Sequence, residues 1–387
     1  MKPLLSVKNL STRFDTFDGS VYAVNDVNFD LNPGETLAVV GESGSGKSVT
    51  MLSLLGLLSG SKEVTGSAFF STAGLDMDLL AISKTELNRL RGNRISIIFQ
   101  DALRSLNPVM TVGEQISESL LTHREREERN AEIKEEAGRL RGSKVSKAFQ
   151  STLRSFNPVM TVGEQISETL RTHKGYNRKS AYRRAIELLE MVGISQPDKR
   201  YYSYPHMFSG GMRQRAMIAI AISCTPDILI ADEPTTALDV TIQAQIIDLT
   251  KRLQQELGMA VIWITHDLGV VAGLADRVMV MYGGTGVETA PVDRLYESPC
   301  HPYTAGLLGA IPNIAEDGGD RLISIEGAPP DLYQEPRHCQ FAWRCPYVFE
   351  RCWKEIPRGY TVSEGHVAKC FYDMQNNQPR TGVQNSG

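Results

Sequence analysis

The chain has 387 residues, of which 41% are hydrophobic and 22% are charged, and its formal net charge is −4. This composition is ordinary for a globular protein, and the slight acidity argues against a nucleic-acid-binding surface or a polybasic membrane anchor. We find no run of about 18 apolar residues and no signal-peptide pattern, so we expect a cytoplasmic protein without a transmembrane helix.

The N-terminal segments have the pattern of paired strands. Residues 4–10 and 22–31 alternate apolar and polar side chains, and Asp18-Gly19 between them is typical of a turn. Residues 36–40 (TLAVV) follow as a short strand that is apolar throughout, and residues 49–58 have helical apolar density. We therefore predict an antiparallel β region followed by a buried strand and a helix.

Three later segments are typical of buried strands. Residues 95–99, 227–231 and 260–265 are short apolar runs that alternate with helix-like segments. Strands that are apolar throughout and alternate with helices predict a parallel sheet in an α/β fold.

A glycine-rich loop lies between the strand at 36–40 and the helix at 49–58. Residues 41–48 read GESGSGKS, which fits the phosphate-binding loop G-x-x-x-x-G-K-[ST] in its required strand–loop–helix context. Glycines let backbone N–H groups close around phosphate oxygens, and the helix N-terminus favours negative charge. We expect the lysine to reach the β- and γ-phosphates and the serine after it to bind Mg²⁺. The candidate nucleotide-binding residues are Gly41, Ser43, Gly44, Gly46, Lys47, Ser48 and Val49.

Two acidic residues follow the predicted strand at 227–231. Asp232 fits the carboxylate that Mg²⁺ needs beside a phosphate loop, and Glu233 fits the residue that orients or deprotonates the attacking water. Taken alone, the pair also fits a structural capping role. The phosphate loop upstream makes the catalytic interpretation the stronger one.

Further short motifs resemble those of ABC ATPases. Residues 208–215 (FSGGMRQR) resemble the signature motif, and residues 232–239 (DEPTTALD) resemble the acidic strand end with its D-loop. Residues 265–267 (THD) resemble the switch histidine, and Phe99-Gln100 resembles the Q-loop. Five motifs in the family's order identify the chain as similar to ABC transporter ATPases.

This resemblance implies an α/β P-loop NTPase core and a sandwich dimer of two ATPase subunits. Ser209, Gly210 and Gly211 would contact the γ-phosphate of ATP held by the partner subunit. His266 would hydrogen-bond the γ-phosphate and help to align Glu233, and an ordinary core histidine is the alternative. The implied catalytic residues are Glu233, His266 and Gln100.

The family often stacks adenine on an aromatic residue of the N-terminal strands. Phe14 occupies the best position for this role, and Tyr22 is the second choice. Ordinary packing of Phe14 is the alternative.

An internal repeat complicates the assignment of the Q-loop. Residues 99–123 and 149–173 are identical at 20 of 25 positions, which indicates a tandem duplication of 89–138 as 139–188. Gln100 lies 53 residues after Lys47, and Gln150 lies 59 residues before Ser209, and both distances suit the family. Residues 95–99 can be buried as a strand, whereas a strand at 145–149 would bury the charge of Lys147. We therefore favour Gln100 as the Q-loop residue. In that role it would also bind Mg²⁺.

The C-terminal region resembles the oligopeptide and dipeptide branch of importer ATPases. The similar segments are residues 298–308 (SPCHPYTAGLL), residues 327–332 (GAPPDL) and a cysteine-rich tail. The spacing C-x5-C-x6-C-x17-C does not fit the short pairs of zinc fingers, and four thiolates in a small aromatic region suit a [4Fe–4S] cluster. A zinc site and unliganded buried thiols are the alternatives. The four cysteines are Cys339, Cys345, Cys352 and Cys370.

These patterns predict three parts of the chain. Residues 1–290 would form the ABC ATPase domain, with a helical subdomain at about 101–215 that contains the duplication. Residues 291–375 would form the cysteine-rich extension, and residues 376–387 would be a disordered tail.

The resemblance implies an ATPase that powers import of dipeptides and oligopeptides. The expected cofactors are ATP, Mg²⁺ and a [4Fe–4S] cluster. The expected partners are a second ABC ATPase subunit, two membrane permeases and an extracellular peptide-binding protein, with no nucleic acid. The chain would lie peripherally at the cytoplasmic face of the membrane. The alternatives are a paralogue whose transport is impaired by the duplication, and a soluble ABC-type ATPase acting on nucleic acid or ribosomes.

Overall fold

The computed structural model describes residues 2–72, 74–99, 178–204, 207–236, 238–311 and 325–380. The strands in these ranges are β1 (Leu5–Thr16), β2 (Gly19–Leu31), β3 (Thr36–Val40), β4 (Lys62–Thr72), β5 (Leu75–Asp78), β6 (Ile95–Ile98), β7 (Ile228–Asp232), β8 (Ala260–Thr265), β9 (Arg277–Tyr282), β10 (Thr285–Pro291), β11 (Tyr360–Ser363), β12 (His366–Ala368), β13 (Tyr372–Asp373) and β14 (Gln378–Pro379).

The helices have widely different lengths. They are α1 (Lys47–Leu54), α2 (Lys84–Leu90), α3 (Arg178–Met191), α4 (Pro197–Arg200), α5 (Gly210–Ile222), α6 (Val240–Leu257), α7 (Leu268–Val271), α8 (Val292–Glu297) and α9 (Pro302–Gly309), with 3₁₀ turns at Ala342–Arg344 and Glu350–Trp353. Within the described ranges, none of them is both long and apolar enough to cross a bilayer. The chain divides into two compact units, one of residues 1–87 and 260–387 and one of residues 88–259.

The first unit contains an antiparallel sheet in the order β2-β1-β4-β5. The predicted N-terminal hairpin is confirmed, with Thr16 opposite Gly19 across its turn. Its strands extend beyond the predicted segments because the ladder continues into a stretch where most side chains are polar and the apolar alternation is lost. There, Arg13 forms an ion pair with Glu63 of β4 at 3.1 Å. The sequence did not predict β4, whose residues are mostly polar or small.

A second sheet of the first unit includes six strands in the order β11-β12-β10-β9-β3-β8. The strand β3 lies between β8 and β9 and is parallel to both. Every residue of β3 and of β8 is buried, which explains why their sequences are apolar and do not alternate with polar residues. The predicted bounds 36–40 and 260–265 are confirmed.

The C-terminal extension continues this sheet rather than forming a separate body. A two-residue turn at Gly283 and Gly284, with φ of 54° and 77°, reverses the chain from β9 into β10. The strand β10 then pairs with β12 of the extension. Tyr303 of α9 and Phe341 pack in one cluster with side chains of the sheet, so the extension shares the core of the first unit.

A buried carboxylate connects β10 to the start of α9. Glu288 is 1% exposed, and its Oε1 accepts a hydrogen bond from the backbone N–H of Cys300 at 2.7 Å. Its Oε2 accepts from the N–H of His301 at 2.9 Å, and His366 Nε2 lies 2.7 Å from Oε1. These partners satisfy a carboxylate whose burial would otherwise be unfavourable.

The predicted boundary of the C-terminal tail is too early. Residues 376–380 belong to the structure, because Gln378–Pro379 pairs with Tyr372–Asp373. The side chain of Asn376 donates to Asp373 at 3.0 Å, and Arg380 N donates to Phe371 O at 2.7 Å. Local polar hydrogen bonds hold this turn, which a composition argument does not detect. Residues 381–387 lie outside the described residues.

In the second unit, the parallel pair β6–β7 confirms two predicted strands to within a residue. Ile98 lies opposite Ala231 at the carboxyl end of this pair. Arg94 and Asp227 form an ion pair at 2.6 Å before the two strands begin. Most of both copies of the repeat, residues 100–177, lies outside the described residues, and so do Gln100 and Gln150.

We expect acid to destabilise the first unit through His301. This residue caps α9, where its Nδ1 accepts from Tyr303 N at 3.1 Å, and burial lowers its pKa to about 4. The unfolded chain binds this proton near pH 6.5, so the free energy of unfolding should fall as the pH drops from about 6.5 towards 4. The full contribution of this group is about 3 kcal/mol.

The control is His301→Asn, whose side-chain oxygen can accept the same capping hydrogen bond without titrating in this range. Denaturant unfolding between pH 7 and pH 4.5 should give a shallower pH dependence for the variant. Equal slopes for the two proteins would contradict a neutral buried His301.

Candidate active site

The phosphate loop begins where β3 ends, and its backbone fits tightly against neighbouring strands. Gly41 has φ 155°, and a Cβ added there would lie 2.2 Å from the carbonyl oxygen of Met281. Gly46 has φ 95°, and its Cβ would lie 2.5 Å from the carbonyl oxygen of Ala23. Both positions therefore require glycine for conformation and for space.

The tip of the loop is open to solvent and leads into α1. Ser43 and Gly44 are exposed, whereas Ser48 and Val49 are half-buried. The helix begins at Lys47 and ends at residue 54, so it starts two residues earlier and ends four residues earlier than predicted. Its N-cap is Gly46, which has no side chain to cap the helix, and a helix N-terminus favours a bound anion.

Lys47 lies inside the loop with its charge almost covered. It is 5% exposed, and its Nζ donates to the carbonyl oxygens of Gly41 at 2.8 Å and Glu42 at 3.0 Å. Phosphate oxygens carry negative charge and accept stronger hydrogen bonds than neutral carbonyls do. The ammonium group is thus positioned at the centre of the loop where phosphates would bind.

His266 lies at the same edge of the sheet as the phosphate loop. Val40 and Thr265, the last residues of β3 and β8, are opposite each other in parallel register. His266 follows directly and is exposed. The next residue, Asp267, caps α7 by accepting from Gly269 N at 2.8 Å. The carboxyl edge of a parallel sheet is where α/β proteins bind ligands.

In the second unit, the acidic pair Asp232-Glu233 lies at the carboxyl end of the parallel strand β7. Asp232 is its last residue and is buried. Glu233 has φ 46°, a left-handed conformation that is uncommon for a residue with a side chain and concentrates at functional sites. Thr236 Oγ1 donates to Glu233 Oε2 at 3.1 Å. The sequence predicted the role of Glu233 but not its backbone conformation.

The signature segment forms the exposed N-terminus of α5. Ser209 is the N-cap, and its Oγ accepts from Met212 N at 3.3 Å. Ser209 and Gly210 are both exposed, and a Cβ on Gly211 would lie 2.9 Å from Ile242 Cγ2. The segment therefore presents a hydroxyl and a helix N-terminus to the surroundings, as an anion-binding element does.

Phe14 and Tyr22 lie on opposite faces of the N-terminal hairpin. Tyr22 is the cross-strand partner of Arg13, the residue before Phe14, and adjacent residues of a strand point to opposite faces. Thr12 shares the face of Phe14, and its hydroxyl hydrogen-bonds that of Ser53 in α1 at 2.8 Å. Phe14 is half-buried on the face that packs on α1.

The sequence analysis did not predict a pocket that lies next to the phosphate loop. Residues 42–45 line it together with Tyr282, Gly283 and the segment Pro329, Pro330 and Leu332. The similarity of residues 327–332 to importer ATPases pointed to this segment but not to its place beside the loop.

Two of the four tail cysteines pack in a small core. Cys352 packs in one cluster with Phe371, and Cys339 contacts the same cluster and donates its N–H to Cys352 O at 3.1 Å. Burial is the main cause that raises the pKa of Cys370 to about 12, and the thiols of Cys339, Cys345 and Cys352 contribute to the same shift, so the four lie near one another.

Comparison with known proteins identifies the family. A family model described as "ABC transporter" matches residues 24–236, and one described as "Oligopeptide/dipeptide transporter, C-terminal region" matches residues 287–352. The oligopeptide transport ATP-binding protein OppD of Haemophilus influenzae is 43% identical over 376 residues, covering 97% of this chain and 99% of the relative. The chain belongs to the ABC transporter family.

Other ABC proteins give the same result. The dipeptide transport ATP-binding protein DppD of Bacillus subtilis is 43% identical over 377 residues, covering 97% of this chain and 96% of the relative. A solved dimeric ATP-binding cassette with bound ADP and phosphate superposes with a TM-score of 0.53 at 23% identity, covering 74% of this chain and 98% of its own. This structural likeness supports the ABC fold, and the chain is an ABC ATPase.

We expect Gly41→Ala to damage the phosphate loop of this ABC ATPase. The added methyl group cannot fit 2.2 Å from Met281 O, and the φ of 155° disfavours any side chain. The variant should lose more than about 2 kcal/mol of unfolding free energy and bind ATP weakly. Denaturant titration and binding of a fluorescent ATP analogue measure both effects.

Gly273→Ala is the matched control, because nothing lies within 4 Å of its added Cβ. It should change the free energy of unfolding by no more than about 0.5 kcal/mol. Normal ATP binding by Gly41→Ala would show that the loop tolerates a side chain at that position.

Proposed function

We propose that this chain is the ATP-binding and ATP-hydrolysing subunit of an importer for dipeptides and oligopeptides. The observation that carries the proposal is the phosphate loop, with Lys47 at its centre, in a chain whose C-terminal region matches the oligopeptide/dipeptide transporter family. The relatives OppD and DppD, which match nearly the whole chain, are themselves peptide transport ATP-binding proteins.

In this proposal, each motif contributes one part of the hydrolysis of ATP. Lys47 and the N–H groups of the loop bind the β- and γ-phosphates, and Ser48, Asp232 and Gln100 bind Mg²⁺. The bound ion would supply positive charge against the charge that develops on the phosphates. Glu233 orients and deprotonates the attacking water, and its left-handed backbone supports an active-site role.

The partners follow from the exposed motifs and from the relatives. Ser209 at the N-terminus of α5 is exposed, as it must be to contact ATP on a second ATPase subunit. His266, also exposed, contacts the γ-phosphate. The ATPase pair works with two membrane permeases and an extracellular peptide-binding protein, so the chain lies peripherally at the cytoplasmic side of the membrane. Phe14 stacks on adenine, supported by its place on the α1-facing side of the hairpin.

The domain boundaries of the proposal follow the motifs. Residues 1–290 form the ATPase domain and the extension begins at residue 291, and the pairing of β10 with β12 joins the two in one sheet. The helical subdomain at about 101–215 contains the duplication and is the region that faces the permeases.

The test of the hydrolysis mechanism is Glu233→Gln beside Lys47→Ala. Removing the base should slow phosphate release by about 100-fold or more while ATP still binds. Removing the lysine charge should instead weaken ATP binding itself by about tenfold or more. Fluorescent-nucleotide titration and steady-state phosphate release separate the two effects.

The same Glu233→Gln substitution tests the link to transport. Uptake of a labelled dipeptide or oligopeptide by cells that carry the variant should fall together with hydrolysis. Unchanged turnover would remove Glu233 from the mechanism, and lost turnover with normal peptide uptake would contradict the proposed importer.

We also propose that the four tail cysteines hold a [4Fe–4S] cluster. Zinc with four thiolates would bring their sulfurs to about 3.8 Å from one another, given a Zn–S bond of about 2.3 Å. Among the described side chains, the one group of three donors within 4.8 Å of each other is Glu288, Cys300 and His366. The tail thiols are not part of that group, and the proposal rests on their C-x5-C-x6-C-x17-C spacing, which differs from the short pairs of zinc fingers and provides one thiolate for each iron.

Metal analysis of anaerobically purified protein tests this proposal. The cluster requires about four irons and four acid-labile sulfides per chain, with a brown colour. Cys345→Ala should lower the iron content and the melting temperature more than it lowers ATP turnover, whereas Cys224→Ala should keep the iron. One zinc per chain without iron would show a structural zinc site instead.

A further inference from the structure

A side chain of the C-terminal extension is bound directly to the phosphate loop. Arg344 donates two hydrogen bonds to the carboxylate of Glu42, the second residue of the loop, from Nη1 to Oε2 at 2.8 Å and from Nη2 to Oε1 at 3.1 Å. The side chain of Arg344 is 5% exposed and that of Glu42 is 27% exposed. A two-point contact of this kind fixes the orientation of both groups, and shielding from water strengthens it.

Arg344 is itself held in place by its other donors. Its Nε donates to Glu326 O at 2.9 Å, and its Nη2 also donates to Ile325 O at 3.0 Å. Its guanidinium lies 5.7 Å from the ring centre of Tyr282. The hydrogen bonds that Arg344 donates to Glu42 raise the pKa of Arg344 above its already high usual value. The cation is therefore a fixed anchor and not a surface charge that samples many positions.

A second residue of the extension holds the same loop position through the backbone. The N–H of Glu42 donates to the hydroxyl oxygen of Tyr303 at 2.9 Å, and Tyr303 is fully buried. The carbonyl oxygen of Glu42 accepts from Lys47 Nζ at 3.0 Å. Glu42 is thus held at its carboxylate, its N–H and its C=O, and the last of these contacts connects it to the phosphate-binding lysine.

We propose that Arg344 and Tyr303 are positioning residues that set the conformation of the phosphate loop for ATP. They act through Glu42, since neither residue lies within the loop. The extension thereby tunes nucleotide affinity in addition to any role in assembly. This inference rests on the proposed hydrolysis of ATP.

The decisive experiment measures KM for ATP, kcat and the melting temperature of full-length variants. Arg344→Gln and Glu42→Gln should each raise KM about tenfold, with a smaller change in kcat. The double variant should be no worse than either single one, because both substitutions break the same contact. Arg344→Lys, which keeps the charge but not the two-point geometry, should restore only part of the affinity.

Two further variants separate positioning from stability. Tyr303→Phe removes only the hydroxyl and should also raise KM. Lys354→Gln breaks an exposed ion pair with Glu350 in the same extension and should leave KM unchanged. If Arg344→Gln unfolds, Glu42→Gln still tests the proposal, because the side chain of Glu42 is partly exposed and an uncharged residue of the same size should fit there.

A lower melting temperature with an unchanged KM in both Glu42→Gln and Tyr303→Phe would overturn the proposal and leave the contact a purely structural one. That outcome differs from failure of the proposed function, in which the wild-type chain itself would not hydrolyse ATP.

Discussion

The strand β3 is buried along its whole length, and the phosphate loop begins at the residue after it. The close approach of that loop to the carbonyl of Met281 leaves no room for a side chain at Gly41. The parallel register of β3 and β8 then fixes where His266 leaves the sheet. The position of the phosphate loop and of His266 thus depends on how one apolar strand packs between two neighbours.

Burial of polar groups is the second recurring feature of the first unit. Glu288, His301 and Lys47 are all nearly inaccessible to water, and each has hydrogen-bond partners that compensate for the lost hydration. Two of them lie where the extension joins the sheet, and the third lies in the phosphate loop. Specific polar contacts therefore position both the junction and the site, which apolar packing alone would leave less well defined.

The extension contributes to the nucleotide site as well as to the sheet. The strand pair β10–β12 and the cluster around Tyr303 build it into the core. The hydroxyl of Tyr303 and the guanidinium of Arg344 both contact Glu42. Although its sequence resembles a family-specific tail, the extension packs directly against the phosphate loop in the folded structure.

The sequence by itself determined the local features of this protein. The strands β3 and β8, the phosphate loop and the acidic strand end were predictable because each follows from residues that are adjacent in the chain. The family was also predictable, because its motifs are short and occur in a fixed order.

Only the tertiary structure decided which distant residues meet. The left-handed backbone of Glu233, the burial of Glu288 and the contact of Arg344 with a residue 302 positions away leave no periodic signal in the sequence. The strand β4 and the turn after Asp373 were missed for a related reason, since pairing with partners holds them and not their own apolar pattern. Local propensity and hydrophobic period report on neighbours in the chain, whereas hydrogen bonds between distant side chains exist only after the sheet has brought them together.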